Sequence, residues 1–363
     1  MNASEKLTTG LDVGDRYSSF CTLGADGEVE EKGQMRTTAR AIQTHFEGPR
    51  RRVVLEVGPH SPWISRLLEE LGHEVIVANA RMVALIHKNP RKRDPVDAET
   101  LARLGRVDPK LLAPIRHRSK EAQVDLGVIR TREVVVRART ALVNRVRGSV
   151  KSLGGRIPKC STESFPRRAL EHIPDPLRPT LEPILDTISR LTKQIHLFDR
   201  EIETLCEQRY PETAVLRQVK GVGPVIALAY RLVMDDPTRF PTSRSVGAYL
   251  GLTRRHDDSG DSEPELPITK AGDRLVRRIL VQGAQYILGA FGPDTDLRRW
   301  GLNHVRRGGG TKQAKRKATV AVARKLAVLL HRLWITGEVY EPLRNAKRAR
   351  HPKPEADTQV EAA

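Results

Sequence analysis

Two stretches, TTGLDVG at residues 8–14 and RRVVLEVG at 51–58, set a carboxylate inside an apolar strand: Asp12 in the first, Glu56 in the second. A carboxylate there is costly unless it is paired or liganded. The neighbouring sequence supplies a framework for both. SSFCTL (18–23) follows the first strand after a turn, and GADG (24–27) turns into the alternating EVEEKGQM (28–35), which makes an antiparallel meander. SPWISRLLEELG (61–72) spaces Trp63, Leu67, Leu68 and Leu71 as a helix, with Ser61 and Pro62 at its start and Gly72 at its end. HEVIVAN (73–79) is a fifth strand.

Three meander strands, then strands alternating with helices, is the order of a ribonuclease-H-like α/β domain. Periodicity alone leaves it level with other mixed α/β folds. KRDPVDAETLARL (92–104) adds Asp94 and Asp97 three apart, with Pro95 suited to the first helical position and Asp94 to the N-cap. Side chains at that spacing lie within about 5–6 Å of each other. Singly, Asp94 reads as an ordinary cap and Asp12 as a strand-edge residue. Together the four carboxylates form the donor set of a two-metal phosphodiester site, in which hard oxygen ligands hold Mg²⁺ ions about 3.5–4 Å apart.

Composition narrows the class of partner. The 363 residues include 63 Lys+Arg and 44 Asp+Glu, a net charge of +19, and the isoelectric point is near 10.2. Such a balance points to a polyanion, most often nucleic acid. Hydrophobic residues make up 39% and aromatics 4%, so the core is aliphatic and the chain globular. Cys21, Cys160 and Cys206 lie too far apart for a disulfide scaffold or zinc ribbon, and the histidines show no HExxH spacing. No apolar leader and no run of about 18 apolar residues is present, so a cytoplasmic protein without a membrane partner is expected.

The second half changes period. From Lys120 to Leu153, apolar doublets recur every seven residues (Val128/Ile129, Val135/Val136, Leu142/Val143), while Arg130, Arg137, Asn144 and Lys151 form a neighbouring stripe. That predicts a long amphipathic helix whose basic face is either solvated or phosphate-binding. Gly154, Gly155 and Pro158 end it, and 178–209 is a second long helical segment suited to a coiled-coil or hairpin partner. The expected domains are 1–118, a long-helix connector at 119–210, a helical region at 211–345 and a disordered tail at 346–363. Within the third, Gly221-Val222-Gly223-Pro224 separates two helical runs, as in a helix-hairpin-helix whose backbone N–H groups meet phosphate, or as in a plain helix connection. Ser259-Gly260 lies in a polar loop, with Arg278 and the expected nucleic-acid contacts Lys270, Arg274 and Arg277 just beyond. GGGTKQAKRK (308–317) lacks phosphate-loop spacing and reads as a flexible joint before a helix at 312–335.

Taken in order, GLDVG around Asp12, VVLEVG around Glu56, KRDPVDAETLA around Asp94 and Asp97, VKGVGPVIA, GAYLGLTRRHDDSG and ITKAGDRLVRRIL resemble the transposases of the insertion-sequence-110 family, the DEDD transposases or bridge-RNA-guided recombinases. The resemblance covers most of residues 8–335. It implies a RuvC-like N-terminal domain of the ribonuclease H fold carrying Asp12, Glu56, Asp94 and Asp97 as the metal set, with two Mg²⁺ ions. It also implies a mainly helical transposase domain in which Ser259 is the nucleophile. The partners it implies are donor and target DNA, a structured guide RNA, and further copies of the chain in a dimer or tetramer. Two departures stand out: Lys92-Arg93-Asp94 replaces Lys-Thr-Asp, and Gly260-Asp261 replaces a glycine run. The alternatives are a RuvC-type endonuclease that uses metal-activated water and no serine, an actin-like ATPase, and a non-catalytic nucleic-acid-binding protein. A missing second phosphate loop opposes the ATPase, and four costly carboxylates oppose the non-catalytic protein.

Overall fold

The even-numbered residues of TTGLDV face one side of a sheet and the odd-numbered residues the other, and this alternation builds the first half of the protein. The structure, a computed structural model, describes residues 7–79, 94–255 and 266–345. The chain divides into two compact units, Met1–Arg118 and Ser119–Ala363.

In the first unit β1 (Thr8–Val13), β2 (Tyr17–Leu23) and β3 (Val29–Arg36) form the antiparallel meander expected from sequence. β4 (Arg52–Glu56) and β5 (Glu74–Ala78) join it parallel to β1, giving the order β3-β2-β1-β4-β5. Leu11, Phe20, Val53 and Leu55 point to one face and pack with Ile42, Phe46, Ile64 and Leu68. These last come from α1 (Ala39–Phe46) and α2 (Ser61–Glu70). α1 is an element that the sequence reading did not identify. Its signal is a Thr38 side chain capping Ala41 N at 3.3 Å and the four-residue spacing of Ile42 and Phe46.

The opposite face is covered by α3 (Asp94–Val107). Leu101 packs with Val54, Ile76 and Ala78, and Ala98 and Ala102 pack with Cys21 and Leu23. Gly10 permits this. A β-carbon there would collide with the Ala98 carbonyl and come within 2.6 Å of Ala102 N. Gly105 likewise leaves no room between α3 and Val54. Buried Arg52 ties the layers together, donating from Nε to Glu74 at 3.0 Å and from Nη1 to the Gly105 carbonyl at 2.9 Å.

The second unit is helical. α4 (Lys120–Ser152) and α6 (Arg178–Gln208) pack as an antiparallel pair, bridged at one end by α5 (Phe165–Leu170). At that end Val143, Val146 and Val150 meet Leu181, Leu185 and Ile188 in a small core of their own. At the other end Ala122, Leu126 and Ile129 join Ile202 and Leu205 in the main core, which also takes in the helices that follow. Those are α7 (Thr213–Arg217), α8 (Pro224–Met234), α9 (Ser245–Tyr249), α10 (Arg274–Leu288), α11 (Asp296–Arg307) and α12 (Lys312–Thr336). The expected boundary at 210/211 therefore runs through one continuous core rather than between two. Among the described residues no helix is long and apolar enough to cross a membrane.

A buried polar knot fastens α4 to this core. Asp125, 4% exposed, accepts from Tyr210 Oη at 2.6 Å and from Arg209 Nη1 at 2.8 Å. Burial, and then the Asp125 carboxylate beside it, push the Tyr210 phenol up to about 12. The folded chain therefore holds this proton more tightly than the unfolded chain does, so stability falls as pH rises through the interval from about 10 to about 12. Urea midpoints measured across that interval are expected to fall in the natural protein, with a shallower fall in Tyr210→Phe. In the first unit, Gly10→Val is expected to cost about 3 kcal/mol or more, the top of the range for overpacking a filled interface. Thermal denaturation of the full chain reads this as a lower first transition.

Candidate active site

Gly10 and Val54 are register partners on β1 and β4, and both meet α3. Two residues further along each strand the side chains return to that face, which is where Asp12 and Glu56 stand. The pair Leu11–Leu55 puts Asp12 and Glu56 in the next row, on strands about 4.8 Å apart. Ser19 flanks Asp12 from β2, and Ala78 pairs with Glu56 from β5. α3 lies with Ala98 over Gly10 and its later residue Gly105 joined to Arg52, so its first turn points toward the carboxyl ends of β1 and β4. Asp97, 6% exposed, sits in that turn. Asp94 begins the helix, and its side chain lies outside the described residues.

Strand ends beneath a helix start are where open α/β sheets place ligands. The chemistry of these donors suits a hard divalent cation, because each is a carboxylate carried on a rigid element. Among the described residues no three His, Cys, Asp or Glu side chains form a group able to hold a metal ion. What the described structure places side by side is the strand pair Asp12 and Glu56; Asp97 lies in the first turn of α3 and does not complete a three-donor group with them.

Ser259 lies outside the described residues, as do His256, Asp257 and Asp258. The two stretches that flank them are described, and they pair. Arg254 bridges Ile268, Arg255 N donates to Pro267 O at 3.0 Å, and Thr269 N donates to Thr253 O at 2.9 Å. Lys270 N then donates to Gly251 O at 3.1 Å. Gly251 and Gly272 have φ of +66° and +71°, and a β-carbon at either would collide with the opposing backbone. Arg277, expected from sequence to meet nucleic acid, turns inward here. Its Nη1 donates to the carbonyls of Leu250 at 3.0 Å and Ala271 at 2.6 Å, which locks the base of the stem to α10.

The remaining basic residues divide similarly. Arg130, Arg137, Asn144 and Lys151 are all exposed on α4, as the seven-residue stripe predicts. Arg130 pairs with Asp273 at 3.1 Å, while Asp273 also caps α10 through Leu275 N and Val276 N. Arg137 pairs with Glu133 at 3.5 Å, and Glu133 also binds Arg278. Arg137 and Asn144 line a cleft of about 590 Å³ between α4 and helices α8 and α10, with Val225, Ile226 and Gln282 on its far wall. Lys270 and Arg274 are exposed. Gly223 caps α8 with open space around it, whereas Gly221, at φ +97°, packs against Tyr286 and Ile287 of α10. Arg52, Arg277 and the Asp125 knot organise this architecture, and no local spacing in the sequence marks them.

Comparison with known proteins assigns both units to the same class. A family model described as Transposase, of the DEDD IS110 type, matches residues 9–154, and one described as Transposase IS116/IS110/IS902 family matches residues 213–298. Both describe DNA-transferring enzymes. A Sinorhizobium fredii protein named as transposase y4pF/y4sB is 30% identical over 304 residues, covering 79% of this chain and 74% of its own. A family 20 transposase of Pseudomonas aeruginosa is 28% identical, covering 80% of this chain and 86% of its own. The transposase for insertion sequence element IS1111A of Coxiella burnetii is 26% identical, covering 69% and 68%. The chain belongs to the IS110 family of transposases.

The two roles open to Arg277 separate in solution. Arg277→Met is expected to cost about 1–3 kcal/mol in denaturant midpoint, because it strands two carbonyls. The slope of log DNA affinity against log salt should stay unchanged. A residue contacting phosphate would instead reduce that slope by about 0.9.

Proposed function

We propose that this transposase is a site-specific recombinase of an insertion sequence, directed to donor and target DNA by a structured guide RNA. The observation that carries the chemistry is the placement of Asp12 and Glu56 side by side on parallel strands under the first turn of α3, where Asp97 is buried. The mixed five-stranded order with this acid placement supports a RuvC-like domain of the ribonuclease H fold. Membership of a DEDD family implies dependence on a divalent metal. Asp12, Glu56, Asp94 and Asp97 would hold two Mg²⁺ ions, which would offset charge on the phosphoryl oxygens.

Ser259 supplies the nucleophile. Its Oγ forms a bond to phosphorus while the bond from phosphorus to the 3′-oxygen breaks. The hydroxyl proton passes to a base or solvent, and the leaving 3′-oxygen takes up a proton. The phosphodiester energy is retained in the phosphoserine ester, so a 3′-hydroxyl of another strand can reverse the step and complete exchange. Sequence choice resides in RNA–DNA pairing, and the protein reads backbone and shape. The exposed stripe of Arg130, Arg137 and Lys151, the Gly223 turn, and Lys270 and Arg274 supply phosphate contacts. Assembly as a dimer or tetramer lets the carboxylates and the serine come from different chains.

Asp12→Ala, Glu56→Ala, Asp94→Ala and Asp97→Ala are each expected to abolish strand exchange while DNA binding persists. Ser259→Ala should lose the denaturation-resistant protein–DNA adduct. An adduct that survives this change removes the serine from the mechanism and leaves metal-dependent hydrolysis. Mixing Ser259→Ala with Asp12→Ala should restore cleavage if the chains share their active sites.

A further inference from the structure

The chain has few aromatic residues, yet their exposure is concentrated in one place. Among the described residues four aromatic side chains are exposed, and three of them, Tyr286, Phe291 and Trp300, fall between the end of α10 and the middle of α11. Phe291 is 88% exposed. Trp300 and His304, one turn apart on α11, lie parallel to each other with an interplanar angle of 4° and ring centroids 5.5 Å apart. Lys325 of α12 sets its Nζ 4.3 Å from the Trp300 centroid.

The surrounding packing holds the helix that carries this stack. At Gly301 a β-carbon would approach both Leu288 and Val322 to 2.6 Å, so α11 presses directly onto α10 and α12. Caps at Thr295 and Thr311 fix the starts of α11 and α12. Gly301 is buried, and its neighbour Trp300 is carried to the edge of the same surface. Over residues 296–325 the sequence holds ten Lys or Arg against one Asp.

An aromatic stack in a strongly basic surface fits one kind of occupant. A protein partner would cover exposed apolar rings, but eight exposed cations, beyond Arg298 on the Ile287 and Gly289 carbonyls and Arg299 on Asp294, oppose burial against an apolar or basic face. A duplex offers phosphates, but its bases are already stacked on one another. An unpaired nucleotide offers both a π-face for the rings and a phosphate for the cations. We propose that the Trp300–His304 stack, with Lys325 beside its indole and Arg307 three residues beyond His304 on α11, binds an unpaired nucleobase of single-stranded nucleic acid. His304 is exposed and offers the ring on which the base lies, extending the stack by one member. This inference rests on the transposase reading, since strand exchange and guided pairing both create unpaired segments.

The test uses the full chain with Trp63→Phe and Trp334→Phe, which leaves Trp300 as its one indole. Oligothymidylate and oligouridylate are titrated separately, and a blunt duplex of the same length is the reference. Binding of a single strand should quench the indole emission. Trp300→Leu and His304→Ala, examined in the natural background by anisotropy, should each lower single-strand affinity about ten-fold, the scale of one base–aromatic stack, and leave duplex affinity unchanged. Preference for uridylate or thymidylate assigns the base to RNA or to DNA. Absence of quenching, or equal losses for single strand and duplex, overturns the proposal. It is equally overturned if these variants lose self-association and keep single-strand affinity, because the rings then form a protein interface. Recombination measured alongside separates the levels: exchange that proceeds without stacking refutes this surface alone, and a natural protein that exchanges no strands refutes the reading beneath it.

Discussion

The backbone of α3 rests on Gly10 with no space for a β-carbon, and the candidate acidic site depends on that contact. Because Ala98 and Ala102 meet the strand directly, the first turn of the helix is drawn toward the sheet, over the ends of β1 and β4. Asp12 and Glu56 are already neighbours through the parallel pairing of those strands. A larger residue at position 10 would lift the helix and carry Asp97 away from them. Arg52 secures the other end of the same helix by bonding the Gly105 carbonyl. Carboxylates on neighbouring strands repel unless a cation or donor compensates them, so packing helps to hold their placement. An apolar helix–sheet interface supplies that packing.

In the helical unit the corresponding device is the stem formed by residues 251–255 and 266–270. Two left-handed glycines and the Arg277 guanidinium clamp its base to α10, whose own start is capped by Asp273. Asp273 also receives Arg130 from α4, so the long helix and the start of α10 converge on one carboxylate. Residues 255 and 266, the two ends of the segment that includes the proposed nucleophile Ser259, are thereby tied to the main core. Precise presentation matters for a serine, whose hydroxyl is weak unless its phosphate is well placed.

The count of 63 Lys and Arg overstates the cations available to nucleic acid. Arg132 binds Asp199, Arg209 binds Asp125, Arg217 binds Glu203, Arg231 binds Glu212 and Arg278 binds Glu133. These guanidiniums hold helices to one another. The polyanion field comes instead from residues such as Lys151 on α4 and from the cations between Arg306 and Lys317, which are exposed. Arginine suits the first task through its planar fork, and lysine-rich helix starts suit the second.

The sequence by itself determined the strands and the long helices and marked candidate residues for the chemistry, because apolar period and residue type are local properties. The meander, the helix at 61–70 and the exposed stripe of α4 were legible for that reason. So was membership of the family, carried by motifs in fixed order. α1 escaped notice because a short helix with two apolar residues leaves little periodic trace. Only the tertiary structure decided that Gly10 is a seat for α3, that Arg277 clamps a stem instead of facing solvent, and that Trp300 and His304 stack beside Lys325. Each of these joins residues whose meeting depends on how whole elements pack. A side chain's type states what it can bond, and the packing of distant segments states what it meets.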